Sequence, residues 1–175
     1  GLIRTREARV KNTFPVNMDS VRILIDDYKD FIANYPDNVN SLEAARSEAL
    51  LFANFLDKKD SAIQIISRLI ANPRTSLHLK SKAKLDLGDI YLLKGEPWES
   101  TLLYSQVEKS EKEKPLGHEA KLKNAKLSYY KGDFKLAQSH LDILKLATSR
   151  EIANDAMDLS LLIQDNIGMD STEDA

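Results

Sequence analysis

Two stretches of this chain carry one pattern, and that pattern constrains the fold more than any other feature. The first is Leu87-Gly88-Asp89-Ile90-Tyr91-Leu92-Leu93-Lys94-Gly95-Glu96-Pro97-Trp98, and the second is Asn124-Ala125-Lys126-Leu127-Ser128-Tyr129-Tyr130-Lys131-Gly132-Asp133-Phe134. In each, a helical run carries a small residue (Gly88, Ala125), and seven residues later stands a glycine suited to end a helix (Gly95, Gly132). An acidic residue and a second amphipathic run follow. The two copies are offset by 37 residues. A period of that size with two helices per unit is the signature of a helical-repeat array.

Helical spacing continues on both sides of the copies. Val21, Leu24, Ile25, Tyr28, Phe31 and Ile32 predict a helix capped by Asp19 or Ser20 and ended by Pro36, which has no amide to donate. Leu42, Ala45, Ala49, Phe52, Ala53 and Leu56 predict the next, started by Asn40 or Ser41. Ala62, Ile63, Ile65, Ile66, Leu69 and Ile70 form its partner, closed by Pro73. A pair over 76–94 and 97–112 follows, with Trp98, Leu102, Leu103, Tyr104 and Val107 as the inner face of its second helix. The alternating charges from Glu108 to Lys114 predict a solvated helix end stopped by Pro115. The last pair covers 116–131 and 134–147, lined by Phe134, Leu136, Ala137, Leu141 and Leu144. Ser149 then caps a helix carrying Ile152, Ala153, Ala156, Met157, Leu159, Leu162 and Ile163. The expected organisation is an irregular stretch or the end of a preceding repeat over 1–18, an array of about eight helices over 19–165, and a loose polar tail over 166–175.

These residues resemble the tetratricopeptide repeat, a pair of antiparallel helices with small residues where they cross. Ala125 and Ala137 match the two crossing positions of the last pair, Gly132 its turn, and Leu141 and Leu144 its apolar positions. Leu87-Gly88, Tyr91, Gly95 and Tyr104 match the pair before it, with Ser100 where alanine is usual. Ala49, Phe52 and Pro73 match an earlier pair whose turn carries lysines in place of glycine. The match is strong over 81–147 and weak before that. It implies an all-α, right-handed superhelix of antiparallel hairpins, a tetratricopeptide-like α-solenoid. No single hairpin buries both its faces, so stacking of neighbours is a physical requirement of such a chain. A weaker similarity to long multi-repeat proteins of Bacteroidetes bacteria implies the periplasm or cell envelope, with the cytoplasm as alternative.

Composition narrows the function. The net charge of −2 gives no global field toward nucleic acid or membrane, and no apolar run approaches a membrane-spanning length. Lys109, Lys112, Lys114, Lys121, Lys123 and Lys126 are interleaved with Glu108, Glu111, Glu113 and Glu119, which is not the continuous basic stripe that nucleic acid requires. Without cysteine, disulfides and thiolate chemistry are excluded. His78, His118 and His140 are dispersed and show no zinc-ligand spacing. Asp26, Asp27 and Asp30, and Asp57 with Asp60, sit on polar helix faces or in turns. No nucleophile elbow, phosphate-binding loop or dinucleotide fingerprint is present, so neither catalysis nor a cofactor is expected. The chain begins at Gly1 and ends in polar residues, and an excerpt or processed form is expected.

What remains is the groove that the first helices of such pairs line. The resemblance places Glu43, Arg46, Leu50 and Asn54 there, then Lys82, Leu85, Asp89 and Leu93, then Glu119, Leu122, Lys126 and Tyr130. Arg46, Lys82, Asp89, Leu93, Lys126 and Tyr130 are the candidate partner-binding residues. Their mixture of aromatic, aliphatic and both charges suits an extended peptide or a partner helix. Members of the family that bind chaperone termini clamp a carboxylate with Lys and Asn, where this chain has Leu85 and Asp89, so that specificity is rejected. The expected function is a non-enzymatic protein-interaction scaffold. The alternatives are a structural spacer or self-assembly module, and an accessory segment of a longer protein whose catalytic domain lies elsewhere.

Overall fold

The computed structural model describes residues 2–12, 15–36, 38–146 and 149–173, and all of its regular structure is helical. Nine helices stand among the described residues, in two compact units, Gly1–Lys94 and Gly95–Ala175. The first unit holds α1 (Leu2–Asn12), α2 (Met18–Asn34), α3 (Val39–Phe55), α4 (Lys59–Ala71) and α5 (Leu77–Lys94). The second holds α6 (Pro97–Ser110), α7 (Pro115–Tyr130), α8 (Phe134–Leu144) and α9 (Arg150–Glu173). Within each unit, helices adjacent in sequence pack together, and α3 also meets α5 while α7 also meets α9.

The ends of the chain are helical too. Over 1–18, where either an irregular stretch or the end of a preceding repeat is expected, stands a helix, α1, held to α2 by Arg6–Asp27 and by Tyr28 donating to Glu7 at 2.6 Å. At the other end, α9 continues past Asp165 to Glu173, where a polar tail is expected; residues 174 and 175 lie outside the described residues. Polar composition argues against burial but not against helix, since helical backbone bonds are made within the segment itself.

The caps explain the boundaries. Asn17, not Asp19 or Ser20, caps α2: its side-chain oxygen accepts from the Asp19 and Ser20 amides at 2.9 and 3.1 Å. Asn38 caps α3 in the same way through the Asn40 amide at 2.9 Å, and Ser41 is instead buried, donating to the Tyr35 carbonyl. Such caps satisfy amides that the first turn of a helix leaves without partners. Pro97 and Pro115 occupy first-turn positions, where the missing amide costs nothing. Pro115 therefore opens α7 as well as following α6.

Gly95 and Gly132 have φ of +83° and +78°, as a left-handed helix-ending residue requires. At Gly132 the motif is complete: its amide reaches Tyr129 O and the Asp133 amide reaches Ser128 O, both at 2.9 Å. The turn with lysines in place of glycine uses Asp57, at φ +54°, to end α3. Aspartate tolerates this conformation better than most residues with a Cβ.

Crossing positions Ala125 and Ala137 are fully buried, with Leu141, Leu144, Ala156 and Ile163 around them. Each fully buried Leu or Ile contributes about 1.5–3 kcal/mol of hydrophobic stabilisation. Several residues expected inside are outside. On α6 the buried stripe is Ser100, Tyr104 and Val107, so Trp98 (76% exposed) and Leu102 (56%) lie about 200° around the helix from Ser100. Leu136 lies about 100° around from Ala137 and outside the Ala137-Leu141-Leu144 stripe, so it is exposed, and Met157 and Leu162, one position from Ala156 and Ile163, are half-exposed. Conversely, Glu111, expected in a solvated helix end, is buried and pairs with Lys114 at 3.2 Å.

Candidate functional site

The residues expected to face a groove are distributed between the two units. In the first unit, Arg46 projects from α3 toward α5. Its Nε and a terminal nitrogen both reach the Asp86 carboxylate, the latter at 3.1 Å, and Glu43 lies 3.7 Å away. Arg46 is thus engaged in a two-point ion pair that fastens α3 to α5, the geometry for which a planar guanidinium is suited. Asp86 is the residue that sequence reasoning missed. Its signal was legible: it lies 40 residues after Arg46, close to one repeat period, with opposite charge.

Along α5, Lys82 and Asp89 are half-buried and Leu93 is 55% exposed. The spacing 82, 86, 89, 93 follows one helical face. Leu85, expected to face the groove, is buried in the core, and so is Leu122 on α7. The reason is common to both helices. The buried residues of α7, from Gly117 to Ser128, circle more than half of its circumference, because α6, α8 and α9 all pack on it. The strip left for a ligand is correspondingly narrow. Leu50 is half-buried and Asn54 exposed on α3, while Glu119 is exposed on α7.

In the second unit, Tyr130 is 81% exposed at the end of α7, its ring edge-on to Tyr129 at 5.5 Å. Tyr129 in turn meets Phe134 at 5.6 Å, so the Tyr130 backbone is held by a packed aromatic pair while its own ring faces outward. Lys126, one turn earlier, pairs across to Asp155 on α9 at 3.6 Å with both partners about half exposed. A second exposed aromatic, Trp98, is covered on one face by the Lys131 ammonium, 4.3 Å from the ring centroid. A cation over an indole face is attracted by the ring quadrupole.

Two clefts accompany these strips. In the first unit a cleft of about 570 Å³ is lined by Arg4, Glu7, Tyr28, Phe31, Glu43 and Ser47 among others. Burial opposes ionisation of Glu7, but hydrogen bonds from Lys11 and Tyr28 outweigh it and hold the carboxyl below its usual range. Burial and the Glu7 carboxylate push the Tyr28 hydroxyl up to about 12, so it stays a donor. In the second unit a cleft of about 360 Å³ lies among Ser105, Glu108, His118, Lys121 and His140. Burial depresses the His140 pKa, with Lys121 adding to it and Glu108 opposing. Lys121 is already paired with Glu108 at 2.9 Å. Among the described residues, no group of three His, Asp or Glu side chains is placed to hold a metal ion. Likewise no helix there is long and apolar enough to cross a membrane. The acidic groups singled out in the sequence mostly meet cations: Asp27 meets Arg6, Asp57 meets Lys59, and Asp60 meets Lys94 at 3.2 Å.

Neither a family model nor a curated protein matches the chain. A solved structure does: the crystal structure of a single-substitution form of a Podosopora anserina protein described as a kinesin light chain with nearly identical TPR-like repeats. The match covers 95% of this chain and 94% of that one, with a TM-score of 0.65 and 12% identity. The fold is TPR-like. Repeats of this kind generally mediate protein–protein interaction and are typically non-catalytic. At 12% identity, that likeness carries the fold and not the ligand.

Proposed function

We propose that this chain is a non-enzymatic interaction scaffold whose first-helix faces hold a peptide or a segment of a partner protein. The observation that carries this reading is Tyr130, an aromatic residue 81% exposed on a helix end that the Tyr129–Phe134 contact keeps in place. An exposed tyrosine on a rigid support offers large amphipathic contact area at small entropic cost, and aromatics are enriched among binding hot spots. In the first unit, taken by itself, Leu93 on α5, 55% exposed, offers an aliphatic contact. Lys82 and Asp89 supply opposite charges beside it. Lys126 and Arg46 act chiefly as fasteners in this reading, since each already pairs with an acid of its own unit. The envelope compartment belongs to the same proposal, with the cytoplasm as its alternative, and fractionation of the native cells decides between them.

The test is selection of binding peptides from a random display library on the wild-type chain, followed by titration of the selected peptides against Tyr130→Ala and Leu93→Ala. Truncating a hot-spot aromatic costs about 2 kcal/mol or more, roughly a thirtyfold loss of affinity. Circular dichroism and melting temperature should be unchanged, because both side chains are exposed. Peptides that bind both variants as well as wild type would leave these faces idle and favour the structural-spacer reading.

A further inference from the structure

The two terminal helices are opposite in charge, and each borders apolar surface. Helix α1 carries Arg4, Arg6, Arg9 and Lys11 against one acid, Glu7, which is already bonded to Lys11 and Tyr28. Between α1 and α2 lies a cleft of about 480 Å³ whose only charged lining residues, among those described, are Arg6 and Arg9. Val10 and Leu24 form its buried apolar floor, and Ile23, 56% exposed, stands at its rim.

Helix α9 is the converse. After Arg150 it has six acidic residues and no Lys or Arg. Its core-facing side is Ile152, Ala156, Ser160 and Ile163. Diametrically opposite, at 100° per residue, run Glu151, Asp158, Leu161 and Asp165, with Met157 on their flank. All are exposed, Leu161 at 60% and Met157 at 46%. This outer face therefore presents an aliphatic ridge bordered by carboxylates, whereas the α1–α2 cleft presents an aliphatic floor bordered by guanidinium groups.

We propose that these faces dock to each other between copies: the outer face of α9 of one copy seats on the α1–α2 cleft of the next. The apolar ridge covers Ile23 at the rim of the cleft, above the floor of Val10 and Leu24, and Asp158 and Asp165 meet Arg6 and Arg9. Asp27 shares Arg6, and Asp19, Asp26 and Asp30 are exposed on α2, so repulsion steers the acidic ridge toward the α1 side of the cleft. Such a contact is heterologous: each copy offers one face of each kind, so copies join head to tail, into a ring or an open chain. It uses neither Tyr130 nor Leu93, and it stands or falls independently of the peptide-binding reading.

The experiment is sedimentation of the 175-residue chain over a wide concentration range, at low and high salt. The expected result is a mass that rises above monomer with concentration at low salt and falls back at high salt, because exposed charge pairs are screened. Arg6→Glu with Arg9→Glu, and separately Asp158→Arg with Asp165→Arg, should each weaken self-association about tenfold or more. Mixing the two variants should restore it, since one retains the acidic ridge and the other the basic cleft. Helical circular dichroism verifies that each variant folds. Should the α1 changes loosen that helix, the α9 variant still decides, because its altered side chains point away from the core. A wild-type chain that stays monomeric throughout overturns the proposal. So does association that survives both variants, or a mixture that remains monomeric when each variant is folded.

Discussion

Gly117, in the first turn of α7, offers the sharpest test of the packing described above. In an exposed helix interior, replacing glycine by alanine stabilises by about 1 kcal/mol, since alanine loses less backbone freedom on folding. At Gly117 the opposite is expected. A Cβ built there would lie 2.2 Å from the Glu111 carbonyl oxygen and 2.8 Å from its carbon. Real Cβ contacts essentially never fall below 3.0 Å, so the start of α7 and the end of α6 would have to separate by about 0.8 Å. The obstacle is backbone, not the free end of a flexible side chain. It is also pinned: the Glu111 amide bonds Val107 O at 2.8 Å and its carbonyl accepts from the Lys114 amide at 2.9 Å. Overpacking of this kind costs typically 1–3 kcal/mol, and a clash this deep against fixed backbone belongs at or above the upper end. After the propensity gain is offset, Gly117→Ala should destabilise by about 2 kcal/mol. In a chain of this size that lowers the melting temperature by roughly 4–8 °C. Thermal melts followed by circular dichroism, wild type beside variant, measure it. An unchanged or raised melting temperature would show that α6 and α7 do not approach as closely as described.

Two further outcomes follow from the same structure. Ala137→Leu places three extra carbons at a fully buried helix crossing and should cost about 1–3 kcal/mol by overpacking, read as a lower urea midpoint with unchanged slope. Glu48 is buried, and burial raises its carboxyl pKa, with Lys29 pulling it back only in part. A carboxyl whose pKa is raised by folding contributes stability fully present below its unfolded pKa and lost as pH rises through its folded pKa. Glu48→Gln should therefore stabilise the chain at neutral pH and confer little advantage at acid pH; equal effects at both would refute the assignment.

The sequence by itself determined the elements and much of their punctuation. Apolar residues at helical spacing are a local property of the chain, and so are the glycines that end α5 and α7. Gly132 adopts the positive φ that its place after Tyr130 implied, and Ala125 and Ala137 are buried because a close helix crossing admits nothing larger. The 37-residue offset by itself implied a helical-repeat fold.

What only tertiary structure decided is which side of each helix faces what. An apolar residue near a helix start can lie on either face, since a shift of one position rotates a side chain by about 100°. That is why Trp98 and Leu102 read as core yet stand in solvent, and why Leu85 and Leu122 read as groove yet are buried. Gly117 looked like any glycine until α6 brought the Glu111 carbonyl against it. Arg46 and Lys126 looked like ligand contacts, but Asp86 and Asp155, each distant in sequence, meet them across packed helices. A charge is committed or available according to what packing carries to it, and no local pattern contains that information.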